Sequence, residues 1–327
     1  MRAAYITELG PADAIRVGEL PIPVPGPTDV LVRVELVVVD PVDTLVRSGA
    51  YRTPTPFPFV VGRDLVGTVA EAGAGAAGFA PGDRVWCNSL GHDGRQGSFA
   101  EFAVVPAERL YHLPDGADPV ASVAVLHPAA TAYLALFRHG RLRPGEIVYV
   151  GGAAGNVGGA ATSLARMGGA RVLAGARPED AEWCRAAGAA EVLDYRDPDL
   201  PDRLRALAPA GIDLYIDTSG HLDLPTALDL LALRGRIVLL AGSAQRLTLP
   251  AGSLYTNDRS ILGFAISRAA VGDLAEAAST LNTQLAAGTL PARIRDVWPL
   301  DRAAEAHQAV ERRVRGRIVL RAGPAGA

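Results

Sequence analysis

EIVYVGGAAGNVGGAATSLARMGG, residues 146–169, reads as a strand, a glycine-rich turn and a helix in succession. The apolar run 147–150 suits a strand buried on both faces. The turn Gly152-Ala153-Ala154-Gly155-Asn156-Val157-Gly158 carries an A-x-G-x-x-G spacing through Ala153, Gly155 and Gly158. Gly155 lets the backbone approach a pyrophosphate, and Gly158 lets the helix pack close to its strand. Asn156 and Val157 open that helix, whose free N–H groups and positive dipole end favour a phosphate. A glycine pattern between a strand and a helix of a βαβ unit is the context a dinucleotide site requires.

Working outward, strands and helices alternate. ARVLAGA (170–176), EVLDY (191–195), DLYIDTSG (213–220), RIVLLAG (236–242) and ILGFAIS (261–267) read as strands. Helical stretches fall at 179–189, near 200–208 and at 224–233, and 121–140 is helical with Pro128 starting or kinking it. This alternation predicts a doubly wound parallel sheet covered on both faces. The first third differs. Strand candidates 30–39, 65–73, 82–88 and 98–106 are punctuated by Gly and Pro, which predicts a barrel-like β region. The tail holds a helix around 273–288 and a last strand in GRIVLRA (316–322).

Composition sets limits. The 327 residues suffice for two domains, 49% are apolar and 20% charged, as in a soluble globular protein. A net charge of −3 gives no reason to expect nucleic acid or an anionic membrane as partner. All 32 basic residues are Arg, so Schiff-base chemistry on Lys is excluded. Cys87 and Cys184 are too few for a disulfide framework, which favours a reduced, cytoplasmic setting. The start lacks a signal core, and no run of about 18 uninterrupted apolar residues suggests a membrane span.

The second strand selects the cofactor. NAD sites place an acid near its end for the ribose hydroxyls. Gly175-Ala176-Arg177 stands there instead, and Arg177 can hold a 2′-phosphate bidentately, with Tyr195 as a further donor. NADPH is therefore expected, although Glu179 and Asp180 lie nearby. Ser219 and the pair Gly242-Ser243 follow strands of the sheet, at the carboxyl ends along which a dinucleotide lies.

The whole chain resembles the medium-chain dehydrogenase/reductase superfamily, and specifically its zinc-independent quinone oxidoreductase branch, related to zeta-crystallin. The resemblance rests on MRAAYITELGP, PVPGPTDVLVRVELVVVDPVDTLVRSGAY, FVVGRDLVGTVAEAG, GFAPGDRVW, TAYLALF, RLRPGEIVYVGGAAGNVG, GAAEVLDYR and GRIVLRA. It implies an α/β chain with a GroES-like, β-barrel-type catalytic domain (1–121 and 268–327) and a Rossmann-type NADPH-binding domain (122–267). Zinc-dependent relatives carry a Cys after the first long strand and a G-H-E turn. This sequence has Val39-Asp40-Pro41 and Gly62-Arg63-Asp64 there, and Cys87, His92 and Asp64 have no ligand spacing, so no metal is expected.

The resemblance implies further roles. Asp40 replaces an Asn beside the nicotinamide, where it acts on substrate or simply caps the turn before Pro41. Tyr51 matches a cleft Tyr that donates a proton or hydrogen bond, or packs the substrate. Thr131 matches a nicotinamide contact, or is a helix N-terminal hydroxyl. Phe264 is expected on the far wall of the nicotinamide pocket, and Arg317, with Arg315, near the cofactor phosphate or on a solvated face. The expected reaction is NADPH-dependent reduction of a quinone or α,β-unsaturated carbonyl by direct hydride transfer. Alternatives are a 2-enoyl-thioester or alkenal reductase, with Arg47, Arg52 and Arg63 as a basic rim, or a non-catalytic NADPH-binding protein. A homodimer is expected through the apolar strand candidate 261–267.

Overall fold

A computed structural model of the chain describes residues 1–323. The described residues divide into two compact units, one of residues 1–127, 274–288 and 292–323, the other of residues 128–273 and 289–291.

The first unit is built on a seven-stranded sheet. Its strands run in the order Ile294–Pro299, Arg317–Arg321, Asp29–Val38, Asp64–Ala72, Arg84–Cys87 and Tyr111–His112, with Phe102–Pro106 also pairing Asp29–Val38. Asp29–Val38 is hydrogen-bonded along both edges, which explains its run of β-branched residues: Val30, Val32, Val34 and Val37 are all buried. Two helices that the sequence reading left unassigned, Pro41–Ser48 and Ala303–Glu311, pack against each other.

His307, in the second of these helices, is fully buried edge-on to Phe99, and neither ring nitrogen has a hydrogen-bond partner. Burial, helped by the charge of Arg47, pushes its pKa down to about 3 from 6.5. The folded state thus excludes a proton that the unfolded chain accepts below pH 6.5. Stability is full above that pH and falls on acidification, by about 2 kcal/mol at about pH 5. His307→Leu should flatten this acid limb by that amount in urea melts at about pH 7 and 5. An unchanged slope would refute the assignment.

The second unit is a six-stranded, wholly parallel sheet in the order Glu191–Asp194, Arg171–Ala176, Ile147–Gly151, Ile212–Asp217, Leu231–Leu239 and Ser260–Gly263. The order reverses direction between Ile147–Gly151 and Ile212–Asp217, a switch point where such sheets bind ligands. Arg236 rivets the opposite end: its guanidinium donates to both Glu146 oxygens (2.7 and 2.9 Å) and to the carbonyls of Gly140, Arg141 and Asp213.

The long helix begins earlier than expected, at Pro119, and contains Pro128. It runs to Tyr133 and continues as a π-helical turn over Leu134–His139. By length and composition Pro119–His139 is apolar enough to cross a membrane, contrary to the sequence expectation. With 83% of its most apolar window buried inside the protein, it reads as a core helix.

Candidate active site

At the switch point the glycine turn folds as the spacing requires. The helix starts at Asn156 with Gly155 as its N-cap, so its first N–H groups lack intrahelical acceptors. Gly152 has φ +76°, and a Cβ there would lie 2.7 Å from Thr218 Oγ1. At Gly158 a Cβ would lie 2.2 Å from the Gly152 carbonyl oxygen and 2.8 Å from Ala153 Cα. Ala153 is buried and donates its N–H to Gly175 (3.1 Å).

The sequence reading missed what fixes the facing loop. Asp217 ends its strand buried, and its carboxylate accepts from Ser219 N (3.1 Å), Ser219 Oγ (2.6 Å) and Gly220 N (3.0 Å). Thr218 Oγ1 donates to the carbonyls of Gly151 (2.8 Å) and Gly152 (3.3 Å). The signal was present as Asp-Thr-Ser-Gly after a strand, since these side chains fold back onto turn backbone. The backbones of Gly220 and Gly242 meet directly, so the loops bearing Ser219 and Gly242 are adjacent, with Ser243 exposed beside them.

Arg177 and Tyr195 follow neighbouring strands, and Arg177 Nε donates to Tyr195 Oη (2.9 Å). Both are exposed, with Arg196 lying 6.0 Å from the Tyr195 ring. Glu179 approaches Arg177 at 3.8 Å, a weak, solvated pair. Phe264 stacks on His139 with ring centroids 4.4 Å apart. Thr131 is buried inside the long helix, not at a helix start.

In the first unit, Tyr51 is half-buried with its ring 5.7 Å from that of His92. Asp40 and Arg317 require correction. Asp40, expected to act on substrate, is 1% exposed, and its Oδ1 accepts from Arg317 Nη2 at 2.8 Å. It also caps the helix Pro41–Ser48 through its backbone: its carbonyl accepts from Asp43 N, and its N–H donates to Asp43 Oδ2, both at 2.9 Å. Arg317, expected near the cofactor phosphate, is the buried counter-charge of Asp40. Arg47 and Arg63 are each 1% exposed and cannot form a basic rim. Arg47 instead pairs with Glu311, and Arg63 lies 3.6 Å from Asp43.

Asp40 belongs to a buried cluster with Asp43, Asp64, Arg63, Arg317 and His127. Asp64 Oδ2 accepts the His127 backbone N–H at 3.0 Å. Burial, then the charge of Asp40, raises Asp43 to about 7 and lifts Asp64 well above the usual carboxylate range. Burial lowers His127 to about 4.

Residues 26–115 match the model for the alcohol dehydrogenase GroES-like domain, and residues 156–283 the model for zinc-binding dehydrogenases. The chain is 31% identical to the quinone oxidoreductase of Sus scrofa, covering 98% of this chain and 97% of that one. It is also similar to a solved NAD-dependent alcohol dehydrogenase (31% identity, TM-score 0.89, 99% and 100% coverage). A mycobacterial protein solved in complex with NADPH is 28% identical, with TM-score 0.84 and coverage of 98% and 99%.

The second matched description implies zinc. Asp40, Asp64 and His127 offer one ligand atom each, all within 4.8 Å of one another. They do not fit a catalytic zinc as they stand. Arg317 already donates Nη2 to Asp40 Oδ1, so an ion held here would sit beside a buried guanidinium whose charge opposes it. The fold, the glycine turn at its switch point, this filled acid cluster and the full-length similarity agree: the chain belongs to the zinc-independent, quinone oxidoreductase-like branch of the medium-chain dehydrogenase/reductase superfamily, and is an NAD(P)-dependent oxidoreductase.

Proposed function

We infer that the protein reduces a quinone or α,β-unsaturated carbonyl with NADPH, without a metal. The observation that carries the cofactor choice is the Arg177–Tyr195 pair at the ends of adjacent strands, where no carboxylate ends the second strand. When bound, NADPH supplies the hydride. The turn Gly152–Gly158 and the helix start at Asn156 and Val157 receive the pyrophosphate. Arg177 and Tyr195 hold the 2′-phosphate. Ser219, Gly242 and Ser243 line the adjacent loops, and Thr131 and Phe264 contact the nicotinamide. Tyr51 donates a hydrogen bond to the substrate oxygen on which negative charge develops. Asp40 takes no part in proton transfer, because Arg317 already holds its carboxylate.

Stopped-flow absorbance at the NADPH band, with a panel of quinones, enones, alkenals and enoyl thioesters, tests this reading. Quinones or enones should oxidise bound NADPH fastest, with Tyr51→Phe slowing that step. No oxidation by any compound would refute the reading. Arg177→Ala should raise the NADPH Kd by about 10- to 100-fold while leaving NADH nearly unaffected, the worth of one or two charge-assisted hydrogen bonds. Equal losses for both cofactors would return the choice to NADH, the cofactor class named for the alcohol dehydrogenase neighbour. Of the three arginines expected as a basic rim for a thioester, Arg47 and Arg63 are buried and Arg52 alone is exposed, which disfavours that substrate.

The two buried cysteines, neither in a disulfide, favour the cytoplasm. Ser260–Gly263 pairs only with Leu231–Leu239 among the described strands and leaves an open sheet edge. We assign that edge to a homodimer. Sedimentation should give about 68 kDa, twice the 34.0 kDa chain. A 34.0 kDa species at micromolar concentration would refute it.

A further inference from the structure

We propose that Arg95, with Arg109 as its neighbour, binds an anionic group of the substrate, so that the enone or quinone reduced here carries a carboxylate. The proposal rests on the assignment of Tyr51 to the reacting carbonyl. The four arginines buried among the described residues all face carboxylates: Arg47 pairs with Glu311, Arg63 with Asp43, Arg236 with Glu146 and Arg317 with Asp40. Arg95 and Arg109 differ. Their side chains are only 24% and 17% exposed, yet they pair with Asp93 at 4.0 Å and Glu108 at 3.9 Å, carboxylates that are themselves 70% and 63% exposed. Such long, solvated pairs contribute little. Arg95 Nε reaches the Ser89 carbonyl at 3.4 Å, beyond the usual range of an N–H···O bond. Burial, then the charge of Arg109, pushes the Arg95 pKa down. A cation taken out of water without a close counter-charge is costly, so this pair marks an unmet demand for an anion.

The fold explains why the two arginines meet. Val85 faces His112 and Trp86 faces Tyr111 in an antiparallel ladder. Continued by two residues, that register sets Arg109 beside Asn88, next to the Ser89 carbonyl that Arg95 contacts. The turn carrying Arg95 is also tied to the segment that follows Tyr51. Arg95 N–H donates to the His92 carbonyl (3.2 Å), Gly94 N–H to the Pro54 carbonyl (3.2 Å) and Asp93 N–H to Thr53 Oγ1 (2.8 Å). His92, at the start of this turn, lies against the Tyr51 ring. A substrate whose carbonyl meets Tyr51 therefore finds a guanidinium on the turn packed beside it. The planar fork of Arg matches a carboxylate bidentately, which fixes orientation as well as charge.

Unreactive ketones test the site without turnover. Calorimetric titration of protein saturated with NADP+ compares 4-oxopentanoate with 2-pentanone, which has the same ketone and no charge. The wild-type protein should bind 4-oxopentanoate at least about 10-fold more tightly. Arg95→Met should weaken 4-oxopentanoate by about 10- to 100-fold, the worth of one or two charge-assisted hydrogen bonds, and leave 2-pentanone unchanged. Arg95→Lys keeps the charge but loses the fork, and should fall between. Arg109→Met should also weaken 4-oxopentanoate, by about 3- to 10-fold. Arg177→Ala, in the second unit, should leave its affinity unchanged. With 4-oxo-2-pentenoate as substrate, the Arg95→Met loss should appear in KM and not in kcat, because the carboxylate is held equally before and during hydride transfer.

Wild-type protein that shows no preference for 4-oxopentanoate, or no binding of it, would overturn the anion site. So would an Arg95→Met loss shared equally by both ketones, or a loss of 4-oxopentanoate binding on Arg177→Ala. If Arg95→Met does not fold, unchanged 4-oxopentanoate affinity in Arg109→Met overturns the pair. A preference for 4-oxopentanoate that depends on Arg95, in a protein that oxidises NADPH with no enone or quinone, would leave the anion site standing and refute the reductase reading instead.

Discussion

Arg317→Met is expected to lose about 3–5 kcal/mol of unfolding free energy at neutral pH, the largest effect of any single substitution in the first unit. The magnitude follows from which charges remain. The cluster holds three carboxylates, Asp40, Asp43 and Asp64, against two guanidiniums, Arg63 and Arg317, all buried. Without Arg317, three acids face one cation. Asp40→Asn leaves two of each, and its amide oxygen can still accept from Arg317, so the loss should be smaller, about 1–3 kcal/mol. The double variant Asp40→Asn/Arg317→Met should recover most of the Arg317→Met loss, since no buried charge is left without its partner.

The pH dependence has a definite sign. Asp43 and Asp64 have folded-state pKa values raised above 3.8, Asp43 to about 7. Such groups favour the fold below pH 3.8 and cost stability as the pH rises through their folded values. The Arg317→Met penalty should therefore shrink on acidification. Urea melts of the four proteins at about pH 5 and 7.5 measure both effects. Additive losses in the double variant would show that Asp40 and Arg317 do not act as a pair. The ion pair also changes what Asp40 means: in place of a group acting on substrate, it is the partner of an Arg 277 residues later along the chain.

That distance explains what the sequence could and could not disclose. Local signals were readable. The strand, turn and helix at 146–169 appear as Ile147–Gly151 and Asn156–Met167, because apolar runs, glycines and a helix stop act over a few residues. Helix Pro41–Ser48 was not readable, because PVDTLVRS has only eight residues, opens on Pro and carries three β-branched side chains. The strand Leu231–Leu239 begins five residues before the stretch 236–242 expected from the sequence, because Arg234 takes a left-handed φ of +62° and a register shift falls opposite it. The nearness of Arg177 and Tyr195 was readable, since each follows a strand and parallel neighbours align their ends, but the bond between them was not. The Asp40–Arg317 pair was not, since nothing in either segment points to the other. A lone Arg near a chain end looks the same whether it meets solvent, phosphate or a buried acid.

The glycine turn gives the second large effect, and two adjacent glycines make it sharp. Gly158→Ala should weaken NADPH binding by more than about 100-fold, near 3 kcal/mol, and destabilise the fold by about 1–3 kcal/mol. A Cβ at Gly158 would meet backbone, the Gly152 carbonyl oxygen at 2.2 Å and Ala153 Cα at 2.8 Å. Backbone cannot swing aside as a side chain can, so the helix must lift from the turn and carry its first N–H groups, the proposed pyrophosphate donors, with it. Gly159→Ala places its Cβ no closer than 3.6 Å to any neighbour, which is ordinary contact. It should bind NADPH normally and gain up to about 1 kcal/mol from helix propensity. Fluorescence titration with NADPH and urea melts distinguish the two variants. Like behaviour of both would mean that the close approach of this helix to its strand is not what builds the site. A stability loss at Gly158 without loss of binding would mean that the pyrophosphate is held elsewhere. The contrast isolates one methyl group, on one helix, at positions one residue apart, and so separates the cradle of the cofactor from the general tolerance of an alanine-rich helix.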